Sequence, residues 1–260
     1  MKNWLTELYR HRDLLWMWTA REIKVRYTQS LLGAAWAILQ PLSLMVMFTA
    51  IFSFVVRMPT DGLPYPVFSY SALLPWTFFA SSIGFAVPSL VQNMNLVTKI
   101  YFPREILPMA SVAAGLVDFL IAALVLGGMV AWYRIPLHAT LIFIPVILLV
   151  QILLTLGVVL FASAVNVFYR DIRFVVPLGI QLWMYATPII YPTSLVPDPF
   201  RRFYMLNPMA GVIEAYRDVA LRGAWPDWNG FGLAAIMSVL VFAGGYSYFK
   251  RVEWQFADCI

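Results

Sequence analysis

Cysteine, histidine and charge are all scarce in this chain, and each scarcity removes a class of function. Of 260 residues one is cysteine, Cys259, and two are histidine, His11 and His138. A lone thiol forms no internal disulfide and has no partner for a metal site. The histidines are far apart in sequence and fall on opposite sides of the topology derived below, so they share no metal site either. No glycine-rich loop ends in Lys-Ser or Lys-Thr, so the chain does not bind ATP by that route. No serine stands in a nucleophile elbow. Charged residues are 12% of the chain and hydrophobic ones 62%, when a soluble domain of this length carries roughly twice that charge. The formal net charge is +5, but no DNA- or RNA-binding motif accompanies it, and nucleic acid is not an expected partner.

What the chain does hold is long apolar runs with its few charges gathered between them. Six runs read as transmembrane helices: 34–56, 67–90, 106–132, 141–165, 174–191 and 231–249. At about 1.5 Å per residue the first reaches roughly 34 Å, enough for a hydrocarbon core of about 30 Å. The fifth is the shortest, contains proline, and is only just long enough. The opening residues mix Trp, Arg and Glu, without the short apolar core and small-residue site of a cleavable signal, so the N-terminus is expected to stay in the cytoplasm.

The basic residues set the orientation. With the N-terminus inside, six crossings return the C-terminus inside. The cytoplasmic parts then hold Lys2, Arg10, Arg12, Arg21, Lys24, Arg26, Lys99, Arg104, Arg170, Arg173, Lys250 and Arg251, twelve of the 18 Lys and Arg. The two short outer loops hold one each, Arg57 and Arg134, and Arg201, Arg202, Arg217 and Arg222 fall in one long outer segment that weighs less on orientation.

Two segments are neither spans nor ordinary loops. Within residues 1–30, Trp4, Leu5, Leu8, Leu15, Trp18 and Ile23 recur at mostly helical spacing beside Arg and Lys. That pattern suggests a helix in the cytoplasmic interface, a plain solvated helix being the alternative. The long outer segment, 192–230, contains Asn207-Pro208, an N-cap followed by proline at the first helical position. A helix is expected to run to about Leu221, with Gly223 placed to end it. Met209, Val212, Ile213, Tyr216 and Ala220 form its apolar stripe, opposite Glu214, Arg217 and Asp218. A short amphipathic helix between two spans reads as a re-entrant or interfacial element beside a pore mouth.

Candidate chemistry is sparse. Glu214 and Asp218 share a helix face, but Arg217 and Arg222 are spaced to pair with them, which favours structural ion pairs over catalysis. Asp118 stands near the middle of the third span, where an ionisable group is a functional hypothesis by default. Nothing nearby in sequence complements it, so its partner must come from another helix or subunit. A hydrogen-bonded helix contact, a pore-lining group and a proton-relay member all fit. Aromatics are 16% of the chain: Trp36, Phe48 and Phe52 lie in the first span, Trp183, Tyr185 and Tyr191 in the fifth. Such rings can slide along sugar faces, and they also form interfacial belts.

Several ordered blocks make the chain resemble the permease subunit of ABC type-2 exporters of lipid-linked polysaccharide, the O-antigen, capsule and teichoic-acid transporters. They are Arg21-Glu22-Ile23-Lys24-Val25-Arg26-Tyr27 followed by Leu32-Gly33, Trp36 and Pro41; Phe102-Pro103-Arg104-Glu105-Ile106-Leu107-Pro108; Asn166-Val167-Phe168-Tyr169-Arg170-Asp171-Ile172; Pro188-Ile189-Ile190-Tyr191; and Asn207-Pro208. The resemblance implies an all-α integral membrane protein of the bacterial plasma (inner) membrane. It would have six transmembrane helices, an N-terminal amphipathic interface helix, and short re-entrant outer helices between spans five and six. It implies a homodimer with two copies of a separate ATP-binding subunit. ATP and Mg2+ would be held by that subunit, and no cofactor or catalytic residue by this chain. The loop after span two would be the coupling helix, with Gln92, Asn93, Asn95, Lys99, Tyr101 and Arg104 facing the ATPase; Lys99 and Arg104 serve equally as orientation signals. Spans one and five would line the conduit with Trp36, Phe48, Phe52, Trp183, Tyr185 and Tyr191. Asn207, Glu214, Arg217 and Asp218 would belong to an outer gate. The cargo implied is a polyprenyl-diphosphate-linked glycan, with a teichoic acid, drug or lipid as alternatives within the family. An integral-membrane enzyme on polyprenyl-linked sugars is the rival of another class, and it lacks the clustered acids or histidine it would need.

Overall fold

The computed structural model describes residues 11–28, 30–60, 62–99, 102–197, 200 and 204–257. Trp4, Leu5, Leu8, Lys2, Arg10, Tyr101, Arg201, Arg202 and Cys259 lie outside them. The described residues are helical with no strand, as apolar runs of this length dictate, because a helix satisfies its backbone polar groups within itself.

The elements in chain order are α1, Arg12–Tyr27; α2, Trp36–Phe48, entered by a 3-10 turn and extended by a π turn, Thr49–Val55; α3, Tyr65–Ala86; the short α4, Ser89–Gln92, and α5, Met94–Lys99; α6, Ile106–Trp132; α7, Ile144–Phe168; α8, Ile172–Tyr185; α9, Pro208–Arg217, with a π turn over Asp218–Arg222; and α10, Trp228–Val252. One end of the bundle carries Tyr65, Trp132 and Trp228 and is here the upper end. The lower end carries Gln92, Ile106, Phe168 and Val252.

Five helical stretches are long and apolar enough to cross a membrane: Gly33–Val55, Tyr65–Gln92, Ile106–Trp132, Ala139–Phe168 and Trp228–Phe256. The run at 174–191 behaves differently. Its helix, α8, has 14 residues, about 21 Å at the α-helical rise, and stops at Tyr185 rather than Tyr191. Pro188 explains the stop: proline carries no N–H, and its ring excludes the carbonyl four residues back and restricts Thr187 before it.

The bundle is organised around α3. The hydrophobic window of that span is 61% buried, against 17% for the span containing α2. Phe68, Leu73, Phe79 and Ile83 of α3 are buried with Ile147 and Leu154 of α7 and Met209 and Ile213 of α9. A second, smaller core at the lower end joins Leu90, Leu107, Leu160, Phe249 and Phe256. In a bilayer apolar contact alone gives no preference for helix over lipid, so close backbone approach decides pairing. It does so between α7 and α10. A Cβ on Gly157 would stand 2.6 Å from the Phe242 nitrogen and the Val241 carbonyl carbon, and one on Gly245 would strike the Gly157 carbonyl.

The helix α1 is present where an N-terminal helix is expected and lies on the outside of the bundle. Only Thr19 is buried, and α1 packs chiefly along α6, with Trp16, Met17 and Val25 exposed. Its residues Leu15 and Trp18 rest on the two cores.

Gly157→Val is expected to destabilise the folded protein in detergent by about 1–3 kcal/mol, the usual effect of overpacking. Gly127→Val, whose Cβ meets nothing within 4 Å, serves as the helix-propensity control. Thermal unfolding followed by fluorescence separates the two; equal losses would remove Gly157 from its role in helix pairing.

Candidate functional site

Below Tyr185 the chain is α-helical; above it the fifth crossing is irregular, and Thr187–Ile190 is buried. Backbone without helix or strand partners is tolerated at such depth only where other groups satisfy it. Five of the carbonyls here meet side-chain donors, and those of Met184 and Thr187 accept from the Thr187 and Ile189 amides. The Trp183 carbonyl accepts from Thr187 Oγ1 at 2.7 Å, Tyr185 from the Tyr191 hydroxyl at 3.1 Å, and Ala186 from Asn207 Nδ2 at 3.1 Å. Ile189 accepts from Arg217 Nη2 at 3.1 Å and Ile190 from the Tyr65 hydroxyl at 3.0 Å.

Asn207 is the hub between the two halves of this break. As N-cap of α9 its Oδ1 accepts from the Met209 amide at 3.1 Å, and the same oxygen accepts from Trp183 Nε1 at 2.9 Å. Its Nδ2 also donates to Thr187 Oγ1 at 2.9 Å. Trp183 in turn packs edge-on against Phe79, centroids 5.1 Å apart. Arg217, at the other end of α9, reaches the Phe68 carbonyl. Phe68 and Phe79 are eleven residues apart on α3, about 16 Å, so α9 rises from mid-depth beside Trp183 towards the upper end. The helix expected after Asn207-Pro208 is present, and Gly223 ends its π extension at φ +65°.

The polar face of α9 is where sequence and structure part. Spacing put Glu214, Arg217 and Asp218 opposite an apolar stripe, with Arg217 and Arg222 placed to pair with the acids. Arg217 is fully buried and Pro208–Ile213 with it. The guanidinium lies 3.7 Å from the Phe68 ring centroid and donates to Glu214 Oε1 at 2.9 Å. Arg222 closes the network, reaching Glu214 Oε2 at 3.0 Å and Asp218 Oδ1 at 2.8 Å. The anticipated i,i+3 and i,i+4 pairs form, but turned inward. Burial lowers the proton affinity of the Arg217 guanidinium and Glu214 opposes this; burial raises the Asp218 carboxyl and Arg222 opposes it. Tyr216 donates to Gln151 Oε1 at 3.0 Å, and Gln151 Nε2 donates to the Pro75 carbonyl at 2.7 Å. Gln151 escaped the sequence reading, although it interrupts an apolar run in the middle of a span and so carried the same signal as Asp118.

Asp118 finds its partners on α1. Arg26 Nη1 lies 2.8 Å from Asp118 Oδ2, and the Tyr27 hydroxyl donates to Oδ1 at 2.5 Å. Arg26 also donates to the Ser111 carbonyl at 2.9 Å and stands 4.1 Å from the Phe85 centroid. Of the three readings, the hydrogen-bonded helix contact is present within the protomer. A cavity of about 160 Å3 adjoins this pair, between α2, α3 and α6, lined among others by Trp36, Gln40, Thr77 and Asp118.

The segment after span two is two short helices, α4 and α5, with Gln92 and Asn95 exposed. Asn93 Oδ1 accepts from Arg21 of α1 at 3.2 Å and its Nδ2 donates to the Ser89 carbonyl. Lys99 ends α5; its side chain, like Tyr101, is outside what is described. Arg104 turns towards α10, donating to the Glu253 carbonyl and lying 5.9 Å from the Phe256 centroid. Beside it the buried Glu105 takes Lys250 at 2.7 Å.

The six aromatics do not share one surface. Trp36 and Tyr185 are exposed, while Phe52, Trp183 and Tyr191 are half-buried. Phe48 is 5% exposed, a correction to its place on a conduit wall: it lies on the face of α2 with Pro41 and Met45 that packs against α3. The free face of α2 carries Trp36, Leu39, Gln40, Val46 and Met47, and the free face of α8 carries Phe174, Leu178, Gln181, Leu182 and Tyr185.

A helical bundle with five stretches long and apolar enough to cross a membrane, among the described residues, defines the chain as a multi-pass membrane protein. It belongs to the ABC-2 type transporter family, whose model matches residues 13–221. It is 33% identical to the O-antigen export system permease protein RfbA of Myxococcus xanthus over 98% of both chains. The RfbA permease of Klebsiella pneumoniae is 30% identical over 95% of each. The polysialic acid transport protein KpsM of Escherichia coli is 22% identical over 90% of this chain. These relatives are named as transport proteins and permeases, not as enzymes.

Arg217→Ala is expected to destabilise the protein by about 3–5 kcal/mol, because it leaves Glu214 Oε1 and the Ile189 carbonyl without their donor and empties the space against the Phe68 ring. Arg217→Lys should recover only part, having no planar fork to serve carbonyl and carboxylate together. Unfolding in detergent measures both; a neutral Arg217→Ala would remove the residue as anchor of the break. For Arg26 and Asp118, a double-mutant cycle with Ala and Asn is expected to give a coupling of about 1–3 kcal/mol. Additive losses would mean that the pair is incidental.

Proposed function

We propose that this chain is the membrane-spanning subunit of an ATP-driven exporter that passes a lipid-linked polysaccharide, of the O-antigen kind, outward across the bacterial plasma membrane. The observation that carries this is the match to export permeases over nearly the whole length of both chains. Two physical features support it. The faces of α2 and α8 are uncovered and place the carboxamides of Gln40 and Gln181 at mid-span, with no hydrogen bond among the described residues. Unpaired amides facing lipid are unfavourable, which favours a second copy and a shared hydrophilic conduit on that side.

The lower end is the cytoplasmic one, with both termini there, in keeping with the basic residues between spans. Two copies of this chain pair with two copies of an ATP-binding subunit that holds ATP and Mg2+. The exposed Gln92 and Asn95 face that subunit. Movement there reaches α1 through Arg21 and Asn93, and α1 is fixed to α6 by Arg26, Tyr27 and Asp118. At the upper end α9 acts as the gate: Asn207 and Arg217 tie it to the top of α8, so that any shift of α8 carries the gate with it.

Deleting Gln92–Tyr101 is expected to abolish surface polysaccharide while leaving membrane insertion at the normal level, read by glycan immunoblotting beside membrane fractionation. Export that survives the deletion would overturn the coupling role. Trp183→Ala is expected to reduce export more than dimer assembly, since it breaks both the Phe79 contact and the tie to Asn207. Equal loss of both would make Trp183 a packing residue.

A further inference from the structure

The cavity beside Asp118 is not explained by the ion pair. Arg26 and Tyr27 already hold the carboxylate, yet about 160 Å3 is left open next to it, near the thirteenth residue of the 27-residue α6. Its lining is mixed in a particular way. Trp36, 52% exposed, stands at the mouth. Gln40, Thr77 and Ser81 line it with Asp118, and Asp118 keeps 19% of its side chain accessible. Pro41, which has no N–H for the carbonyl of Ala37, lines it too. Lipid chains match such a wall poorly, because they offer nothing to the Gln40 carboxamide, the Thr77 hydroxyl or the free lone pairs of Asp118. A dry apolar cavity would need no such groups.

Each carboxylate oxygen of Asp118 has spent one lone pair, on Arg26 or on Tyr27, and has another to offer a hydroxyl donor. Gln40 offers both a donor and an acceptor, and Thr77 and Ser81 offer hydroxyls. An indole face beside a set of planar acceptors matches a ring with C–H groups on its face and hydroxyls on its edge. We propose that this recess is a subsite for one glycosyl ring of the transported chain, with Trp36 stacking on the ring and Gln40 and Asp118 taking its hydroxyls. The charge of Asp118 is neutralised by Arg26, so the subsite holds a neutral sugar without repelling a neighbouring phosphate. Weak, exchangeable hydrogen bonds suit a passage, where an occupant must leave as readily as it arrives. The proposal rests on the export function above and adds where along the span a sugar is held.

The test uses the full chain with its ATPase partner in cells, Cys259→Ser throughout, and Gln40→Cys or Thr77→Cys introduced singly. Labelling by a water-soluble methanethiosulfonate is followed in two hosts. One accumulates the lipid-linked glycan behind an ATPase-dead partner, and the other is blocked at the first glycosyl transfer. Both cysteines are expected to label, and several-fold more slowly when the glycan accumulates. Leu124→Cys, on the exposed face of α6, should stay unlabelled in both. Absence of labelling at both recess positions, or equal rates in the two hosts, overturns the subsite. As a second measurement, Gln40→Leu is expected to slow export about tenfold, the effect of one lost hydrogen bond, with Gln40→Asn restoring part of it. Wild-type export by Gln40→Leu would overturn the proposal even where the cysteine variants fold poorly. Export of the polysaccharide that is independent of this chain would instead sink the function itself, a separate result from loss of the subsite alone.

Discussion

A helix that ends inside an apolar bundle releases carbonyls that must find donors within the protein, and the upper half of this protein is arranged around that requirement. Arg217 meets it most directly. Its guanidinium is fully buried, yet it serves the Ile189 carbonyl, the Phe68 carbonyl and Glu214 together. A charge at that depth is tolerated because Glu214 balances it and the Phe68 ring lies against its face. Asn207, Tyr65, Tyr191 and Thr187 take the carbonyls of Ala186, Ile190, Tyr185 and Trp183. The short α8, the irregular 186–190 and α9 therefore form one unit, and α9 could not be withdrawn without exposing the backbone of the fifth crossing.

The lower half depends on a different ion pair. Asp118 draws α1 up along α6 through Arg26 and Tyr27, so the helix that precedes the first span is fastened well inside the bundle. Between its middle and that end, α1 also meets Asn93 through Arg21. Glu105 and Arg104 fasten the start of α6 to the end of α10. The short helices α4 and α5 thus sit between two fixed points, with Gln92 and Asn95 facing outward. Rigid attachment on both sides is what a segment needs if force applied at its tip is to move spans rather than bend a loop.

Close packing and openness are divided between helices. Gly157 and Gly245 bring α7 and α10 into backbone contact, and α3 is enclosed on most sides. By contrast α2 and α8 each bury one face and leave the other uncovered. The division separates a fixed scaffold from two walls, and the recess beside Asp118 opens where the wall formed by α2 meets the scaffold.

Much of the fold was legible from residues alone. Apolar run length located the crossings, and Asn207-Pro208 with Gly223 marked both ends of the α9 helix, because caps and prolines act locally. Glu214, Arg217, Asp218 and Arg222 were readable as pairs from helical spacing. Tertiary structure decided which way those pairs face: an apolar stripe opposite charges reads as a helix on a surface, and only the Ile189 and Phe68 carbonyls that Arg217 reaches show the charged side turned inward. It also decided the partner of Asp118, ninety-two residues from Arg26 in sequence, and it moved Phe48 from wall to core, since one-dimensional spacing does not say which face of a span meets its neighbours. Local chemistry determined where helices start and stop, and the satisfaction of buried polar groups, a property of the assembled chain, decided how they stand to one another.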